Sequence, residues 1–416
     1  MYQIENVLRP YAWGSTTAIA GLLGRPASGG PEAELWIGAH PDSPSTAVRP
    51  DGTSQALDAL ISSDPVHFLG AASVSEFGPR LPFLTKVLAA EQPLSLQVHP
   101  SLEQAREGFA RENEAGIPAD SAERNYRDDN HKPEMIFALT PFRALCGFRS
   151  ASAAKDIFEH LASILDSAAV DVPAVVGGVI ADLSGDDEPA ALKAAFSRLI
   201  AGGTDVSDAI NEVIAVLSAG APTEPHEDAL TAMLGINESF PGDPGVLISL
   251  LLNHLSLQPG EAVYLPAGNV HAYIHGLGIE VMASSDNVLR GGLTPKHVDI
   301  PELLKTVRFE SLGVPRVEAS GTEFGQELYR PPFREFQLQR IELSPGAEPV
   351  PLAQSGPAVV VVVAGSVVLD SPKSDLPLGQ GGTAFIPEAE NPVMVHPAQG
   401  TTETSIAFAV TTGLGN

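Results

Sequence analysis

The spacing of apolar residues changes twice along the 416-residue chain and divides it into three kinds of segment. Up to about residue 148, short β-prone runs such as PFLTKVLAA, LSLQVH and EMIFAL are separated by stretches rich in Gly and Pro. From about 150 to 255, apolar residues recur every three or four positions, as in KDIFEHLASILD, ALKAAFSRLI and VSDAINEVIAVL, which predicts amphipathic helices. From about 256 the β pattern returns, so the chain is expected to be mainly β with an α-helical insertion.

The β-rich parts consist of short strands that do not alternate with helices, which favours antiparallel barrels or jelly rolls over a parallel sheet. The last helix of the insertion is predicted in VLISLLLNHLSL, just after Pro244 at a favoured first-turn position. Three domains are therefore expected: a β-barrel over 1–149 plus 256–314, a helical domain over 150–255, and a C-terminal jelly roll over 315–416.

Composition places the chain among globular proteins and narrows its partners. Hydrophobic residues make up 44% of the chain, and the longest apolar run, AVVVVVAG, is too short to cross a bilayer. With 51 acidic and 24 basic residues the net charge is −27, which argues against nucleic acid and anionic membranes as partners. The single cysteine, Cys146, excludes an intramolecular disulfide and fits a reducing cytoplasm.

The stretch LSLQVHP, residues 94–100, has the composition of a buried strand but carries Gln97 and His99. Side chains two residues apart in a strand point to the same face, so an amide oxygen and an imidazole would share one space. The two residues either satisfy a polar corner of the core or hold a ligand between them, and this stretch by itself leaves both possibilities open.

A second histidine lies in GEAVYLPAGNVHAY, residues 260–273, whose spacing G-x5-P-x-G-x2-H resembles the second conserved motif of the cupin superfamily. Gly268 would permit the turn that brings His271 back into the mouth of a barrel. The cupin motif usually has Asn four residues after this histidine, where His275 stands here. A similar Gly-Pro spacing begins at Gly381, but Pro392 replaces its histidine, so no metal is expected in the C-terminal jelly roll.

A carboxylate that could complete a metal site opens the apolar strand in NHKPEMIFAL, residues 130–139. It belongs to Glu134, and a buried carboxylate is costly unless it is paired or coordinated. With Gln97, His99 and His271 it forms a set of nitrogen and oxygen donors suited to Zn²⁺, and also to Mn²⁺, Fe²⁺ or Co²⁺. Each residue alone is more often a satisfied core or surface group than a ligand, but the four together favour a metal site.

Longer blocks resemble the type I phosphomannose isomerases. They are YAWGS, ELWIGAHPDSPS, LSLQVHPS, NYRDDNHKPEM, ALCGFR and VYLPAGNVHAY followed by GIEVMASSDNVLRGGLTPKHVD, in the family's order over residues 11–299. The resemblance implies a zinc-dependent mannose-6-phosphate isomerase with a cupin catalytic domain, an interposed helical domain and a C-terminal jelly roll. It also implies that one zinc ion is bound by Gln97, His99, Glu134 and His271.

The resemblance further implies roles for residues around the metal. The family's active-site arginine corresponds to Arg290, and Glu280, Lys132 and Asp286 are the candidates for proton transfer through an enediol. Glu280 is the favoured base because GIEVM places it on an apolar strand, where burial raises a carboxyl pKa. A Lys132–Lys296 pair, each lowering the pKa of the other, is a second candidate. The residues expected to bind the substrate are Lys296, Ser95, Tyr273 and Trp13.

Structural alternatives accompany several of these assignments. Glu280 could be a structural acid paired with Arg290, Asp286 could be a turn residue, Trp13 could belong to the core, and His131 is expected to orient its neighbours.

Two other functions also remain open: a cupin Fe²⁺ dioxygenase and a non-catalytic sugar-phosphate-binding protein. The Gln97 ligand and the nearby Lys and Arg residues argue against the dioxygenase. The expected partner is a small sugar phosphate, with no nucleic acid or membrane partner, and the chain is expected to be a monomer.

Overall fold

The computed structural model describes residues 1–49 and 51–415, and its first part is rich in short strands, as expected. The strands up to residue 149 are β1 (Tyr2–Glu5), β2 (Val7–Arg9), β3 (Glu34–Ile37), β4 (Thr46–Val48), β5 (Ser54–Ala56), β6 (Phe83–Ala90), β7 (Gln97–Val98), β8 (Glu134–Ala138) and β9 (Phe142–Phe148). The helices among them are α1 (Ala18–Leu22), α2 (Leu57–Ser63), α3 (Pro65–Leu69), α4 (Ala71–Phe77) and α5 (Leu102–Glu114).

The helical block follows directly and then returns the chain to the first β-rich part. Its helices are α6 (Ala151–Ser167), α7 (Ala174–Asp182), α8 (Glu188–Ile200), α9 (Thr204–Ser218), α10 (Glu227–Ser239) and α11 (Gly245–Ile248), with a 3-10 turn over Ser249–Leu251. After them come β10 (Leu252–Leu257), β11 (Ala262–Leu265), β12 (His271–Ala283), β13 (Leu289–Arg290) and α12 (Ile300–Thr306). Within the described residues, no helix combines the length and apolar character that a membrane span requires.

The C-terminal part consists of short strands, as expected. They are β14 (Ala319–Gly321), β15 (Glu327–Tyr329), β16 (Gln337–Leu343), β17 (Val350–Pro351), β18 (Ala358–Ala364), β19 (Ser366–Asp370), β20 (Asp375–Gly379), β21 (Thr383–Ile386), β22 (Met394–Pro397) and β23 (Ser405–Thr411). The expected fold class, mainly β with a helical insertion, is confirmed.

One predicted boundary was wrong. The apolar run after Pro244 was expected to be a single helix, but the helical turns end at Leu251 and residues 252–257 form β10. This strand pairs with β9, where Leu257 lies opposite Phe142. A short apolar run fits a buried helix and a buried strand equally well, and the open edge of β9 decides in favour of the strand.

The strands form three antiparallel sheets. Ten strands, from β2 and β3 through β6 and β12 to β9 and β10, with β7, β8, β11 and β13 attached, make up the sheet that carries the predicted site. A nine-stranded sheet, in the order β14-β15-β16-β23-β18-β21-β1-β4-β5, joins the C-terminal strands to three strands from the start of the chain. A smaller sheet contains β17, β22, β19 and β20. The division into three domains stays a prediction. The sequence did not predict that β1, β4 and β5, from the start of the chain, would join a sheet with C-terminal strands.

Strand alternation gives β6, β8 and β12 two different faces. Alternate residues of these strands share one apolar core with the nine-stranded sheet; they include Phe83, Val87, Met135, Phe137, Ile279 and Val281, packed with Phe336, Val359 and Phe408. The residues between them point to the opposite face, where Lys86, Glu134 and Glu280 line a cavity. The period of two in each strand therefore places three ionisable side chains in one enclosed space.

Candidate active site

The cavity inside the ten-stranded sheet has a volume of about 80 Å³. It is formed where β6, β7, β8 and β12 come together, and it is lined by Glu34, Lys86, Leu88, Leu94, Gln97, Lys132, Glu134, His271, Ala272, Tyr273 and Glu280. Five of these side chains are ionisable carboxylates or ammonium groups. A cavity this small and this charged is unusual for a protein core, where charged groups are buried only when they are paired or coordinated.

Two histidines face one carboxylate at this cavity. His99 Nε2 lies 3.3 Å from Glu134 Oε1, and His271 Nε2 lies 3.4 Å from Glu134 Oε2. The Nδ1 atoms face backbone carbonyls, at 2.7 Å from Asn287 O and at 3.0 Å from Asn269 O. Because a carbonyl can only accept a hydrogen bond, each Nδ1 carries the proton and each Nε2 turns a lone pair towards the carboxylate.

Acceptors therefore face acceptors, an arrangement that a cation placed between them would stabilise. The Nε2 atom of His99 is buried and has no hydrogen-bond partner among the described residues. Burial, together with the charge of Lys132, lowers the pKa of His99 to about 4, which keeps the imidazole in the neutral form that binds metals. The ligand atoms of His99, Glu134 and His271 lie within 4.8 Å of one another, so these residues could hold a metal ion.

The fourth predicted ligand, Gln97, lines the same cavity and lies opposite His271 in the antiparallel pairing of β7 with β12. The turn before β12 is the one expected from the motif. Gly268 has φ +80°, a conformation that favours glycine, and its backbone N–H donates to His99 O at 2.9 Å. The turn thus ties the segment that carries His271 to the segment that carries His99.

Lys132 lies on the side of the cavity that carries Glu134, with Nζ 2.9 Å from Glu134 Oε1. Although burial acts to raise it, the charge of Lys132 lowers the pKa of Glu134 well below its usual range. The expected pairing of Lys132 with Lys296 was wrong. Lys296 is an exposed residue, and its pKa is lowered by partial burial and by the charges of Arg290 and Arg127.

A buried chain of three charges occupies the other side of the cavity. Lys86 Nζ lies 2.8 Å from Glu280 Oε2 and 3.7 Å from Glu34 Oε2, and Glu34 accepts a hydrogen bond from Trp36 Nε1 at 2.7 Å. Lys86 and Glu280 lie directly opposite each other in the pairing of β6 with β12, which explains their contact. Glu280 is thus paired with Lys86, and its expected pairing with Arg290 as a structural acid was wrong.

Burial shapes the protonation of this charge chain. It raises the pKa of Glu280, against the opposing charge of Lys86, which is the direction expected from the sequence. The pKa of Lys86 is raised despite burial, because Glu280 and Glu34 stabilise its ammonium form. Sequence reasoning missed Lys86 and Glu34. The signal was present in PFLTKVLAA, where a lysine inside an apolar strand calls for a buried acidic partner.

The other predicted residues lie at different distances from the cavity. Tyr273 is buried in its wall, its pKa is raised well above the usual value by burial and by Glu280, and its hydroxyl has no partner among the described residues. Trp13 packs half-buried on the apolar cluster that contains Tyr273 and stacks with Tyr11 at 5.7 Å. Ser95 is half-buried, two residues before Gln97.

Arg290 lies opposite Gln97 in the pairing of β13 with β7, so its backbone adjoins the segment that carries Gln97 and, just after the strand, His99. Burial and the charge of Arg127 lower the pKa of Arg290. Arg127, which sequence reasoning also missed, therefore joins Arg290 and Lys296 in one basic group. In a chain with net charge −27, such a group is where an anion can be held.

Asp286 faces a separate cavity of about 450 Å³, which Arg127 and His40 also line. His40 Nδ1 accepts a hydrogen bond from the Asp42 backbone N–H at 3.3 Å, so its proton is on Nε2, 3.4 Å from Asp286 Oδ1. Against the effect of burial, the hydrogen bond from His40 lowers the pKa of Asp286. His40 was not identified from the sequence.

Comparison with known proteins gives a consistent result. The family model of the phosphomannose isomerase type I catalytic domain matches residues 1–151. The mannose-6-phosphate isomerase of Escherichia coli (strain K12) is 41% identical over 397 residues, which cover 95% of this chain and 97% of that protein. The mannose-6-phosphate isomerase of Schizosaccharomyces pombe is 31% identical over 418 residues, with 95% and 96% covered.

Solved structures agree with the sequence relatives. A mutant of phosphomannose isomerase from Salmonella typhimurium has a TM-score of 0.87 at 36% identity, with 99% of both chains covered. A zinc-bound holo structure of mannose 6-phosphate isomerase has a TM-score of 0.85 at 36% identity, again with 99% of both chains covered.

Proposed function

The chain belongs to the type I phosphomannose isomerase family, and we propose that it interconverts mannose 6-phosphate and fructose 6-phosphate with zinc held by Gln97, His99, Glu134 and His271. The observation that carries the proposal is the buried set of acceptors, two imidazole nitrogens facing both oxygens of one carboxylate. When bound there, zinc would supply a positive charge that polarises the oxygens of the sugar.

Charge at the cavity supports an anionic intermediate. The ionisable lining residues are three carboxylates and two ammonium groups, so the cavity has a formal charge of −1. A divalent cation would change it to +1. The isomerisation passes through an enediolate, and a positive, water-poor cavity stabilises that negative charge.

The reaction moves protons without changing the composition of the sugar. In the open chain, a proton leaves C2 and the C1 oxygen becomes a hydroxyl, which makes the enediol; the C2 hydroxyl then loses its proton and C1 gains one. We assign to Glu280 the removal of the proton from C2 and the delivery of a proton to C1. Its raised pKa suits a base that must also give the proton back. Lys86 would hold the Glu280 carboxylate in place, and Lys132 would lie near the developing oxygen charge.

Asp286 is the second candidate acid or base in this proposal. Its pKa is lowered by His40, so it would act as a carboxylate that accepts a proton from a sugar hydroxyl during ring opening. Its backbone N–H donates to Asp128 Oδ2 at 2.7 Å, a contact that holds the turn in which it lies. Asp286 can therefore stabilise its turn through its backbone N–H and transfer a proton through its side chain.

Arg290 and Lys296 would bind the phosphate, because they form a basic group beside the strand that carries Gln97. Ser95, Tyr273 and Trp13 would also contact the substrate. Tyr273 lines the cavity, Ser95 lies two residues before Gln97, and Trp13 packs on the apolar cluster that contains Tyr273. We also propose that the chain works as a monomer in the cytoplasm, where the buried thiol of Cys146 stays reduced.

The test is metal removal from the purified protein. A coupled assay of fructose 6-phosphate formation would be run before and after chelation, with the metal content of the same samples measured directly. We expect activity to fall with zinc content and to return when zinc is added. Full activity after verified metal removal would contradict the proposal.

A matched pair of variants locates the metal. Glu134→Gln should lose both zinc and activity, since it removes a carboxylate that faces both imidazoles. Glu261→Gln removes a carboxylate from an exposed ion pair with Arg316, at 2.9 Å, and should retain both. Oxygen consumption, measured in parallel, would instead identify a dioxygenase.

A further inference from the structure

The segment just before Glu134 is in contact with a distant part of the chain. His131 Nε2 lies 2.5 Å from Glu335 Oε1, across 204 positions of sequence. Glu335 is almost fully buried, and its pKa is lowered by the hydrogen bond from His131, although burial acts in the opposite direction. The carboxylate therefore faces His131 as an anion in a site with little solvent.

The segment that carries Glu335 is packed against the rest of the fold by its aromatic residues. Phe336 is fully buried in the apolar core between the two large sheets, and the ring of Phe333 lies 5.6 Å from the ring of Tyr264. Tyr264 belongs to β11 and lies opposite Met135 in β8, one residue after Glu134. The two ends of the Glu335 contact thus belong to elements that already pack on each other.

The segment that carries His131 is held at its other end by Asn287. The Asn287 side chain accepts hydrogen bonds from the backbone N–H groups of Arg127 and Asp128 and donates to the carbonyl oxygens of Asp128 and Asn130. Beyond Asn130, the next side-chain anchor along the segment is the Glu335 contact at His131. Lys132 follows directly, and its ammonium group contacts Glu134.

We propose that Glu335 is a positioning residue of the active site, through which the C-terminal part of the chain sets the orientation of His131, Lys132 and Glu134. This inference rests on the proposed function for its kinetic consequences. It gives the C-terminal strands a role that their lack of metal ligands does not suggest. It also explains why a nearly buried carboxylate stands between Phe333 and Phe336, two residues that pack in the apolar core.

The experiment compares Glu335→Ala, Glu335→Gln and wild type in the full-length zinc-loaded protein. The readouts are kcat, KM for mannose 6-phosphate, thermal stability, and zinc affinity measured by competition with a chromophoric chelator. Residues that orient metal ligands typically change affinity or activity by tenfold or more, so we expect Glu335→Ala to lower kcat or zinc affinity by about tenfold. Glu335→Gln keeps an acceptor for His131 and should recover most of that loss.

The control is Glu327→Gln, because Glu327 forms an ion pair with Arg340 at 3.0 Å in the same part of the chain but away from His131. It should leave kcat and zinc affinity unchanged. If losing a carboxylate in this part of the chain acted only through stability, Glu327→Gln and Glu335→Ala would both lower thermal stability. If Glu335 positions the site, kcat or zinc affinity falls in Glu335→Ala alone.

A double-mutant cycle with His131→Gln tests whether the effect passes through His131. In that background, Glu335→Ala should change kcat and zinc affinity by less than about twofold, because its partner is already missing. Equal losses in both backgrounds, or a Glu335→Ala protein that matches wild type, would overturn the inference. If wild type itself lacks isomerase activity, the proposed function fails, while zinc affinity still tests the role of Glu335.

Discussion

Replacing Lys86 by methionine removes the positive charge between Glu34 and Glu280 while keeping a side chain of similar length. Glu280 is 3% exposed and lies 2.8 Å from the ammonium group. At an effective dielectric constant of about 20, this single Coulomb interaction amounts to about 6 kcal/mol. Because that is more than a folded protein can readily lose, the variant should respond by keeping a proton on Glu280.

The size of the effect is set by the free energy needed to keep Glu280 protonated in the folded state. An unfolded glutamate has a pKa of about 4.3, so holding Glu280 protonated at pH 7.5 costs about 4 kcal/mol, and at pH 5.0 about 1 kcal/mol. The pKa of Glu280 is already raised in the wild type, so part of this cost is present there. We therefore expect Lys86→Met to lower the free energy of unfolding by about 3 kcal/mol at pH 7.5.

The sign of the pH dependence follows from the direction of the shift. A carboxyl group whose folded pKa lies above its unfolded pKa destabilises the folded state progressively as the pH rises between the two values. The deficit of Lys86→Met relative to wild type should therefore shrink by about 2 kcal/mol between pH 7.5 and pH 5.0.

The assay is urea unfolding of the metal-free protein, followed by tryptophan fluorescence at both pH values. Trp36 is a suitable probe, because its ring centre lies 5.3 Å from Lys86 Nζ. The control is Lys155→Met, which removes a pair at the protein surface between the half-buried Lys155 and the exposed Glu159, at 3.5 Å, and should change stability by less than about 0.5 kcal/mol. A deficit below about 1 kcal/mol at pH 7.5, or one that does not change with pH, would refute the reasoning.

Three further predictions concern the surroundings of the cavity. Asn287→Ala should lower the free energy of unfolding by about 2–3 kcal/mol, because it leaves several partly buried backbone groups of residues 127–130 without their side-chain partner. Urea unfolding measures this loss, and a value near zero would contradict the prediction. His40→Gln should shift the acidic limb of the kcat/KM profile to higher pH, since His40 lowers the pKa of Asp286; an unmoved limb would separate Asp286 from that ionisation. Lys296→Met should raise KM for mannose 6-phosphate by about tenfold with a smaller change in kcat, and an unchanged KM would remove Lys296 from the phosphate site.

Much of this architecture could be predicted from local patterns. The helical period over 150–255 and the short strands on either side correspond to the observed elements, because a single segment decides which of its residues share a face. The same reasoning singled out Gln97 and His99 on one strand, and Gly268 before His271. Glu134 was noticed because a carboxylate at the start of an apolar strand needs a partner.

Contacts between residues far apart in the chain could not be predicted from these local patterns. Lys86 stands in a run that reads as an ordinary strand, and its contact with Glu280 arises because β6 pairs with β12 in one particular register. Glu335 lies 204 positions from His131, and no local pattern relates them. The strand over 252–257 likewise depends on the open edge of β9.

The sequence by itself determined which segments become strands or helices and which side chains of each segment point the same way. The tertiary structure alone decided which of those faces meet, because strand register and sheet packing depend on contacts between residues far apart in the chain. The charged cavity follows from both: alternation turns each ionisable group inward, and the pairing of β6, β8 and β12 brings the groups within reach of one another.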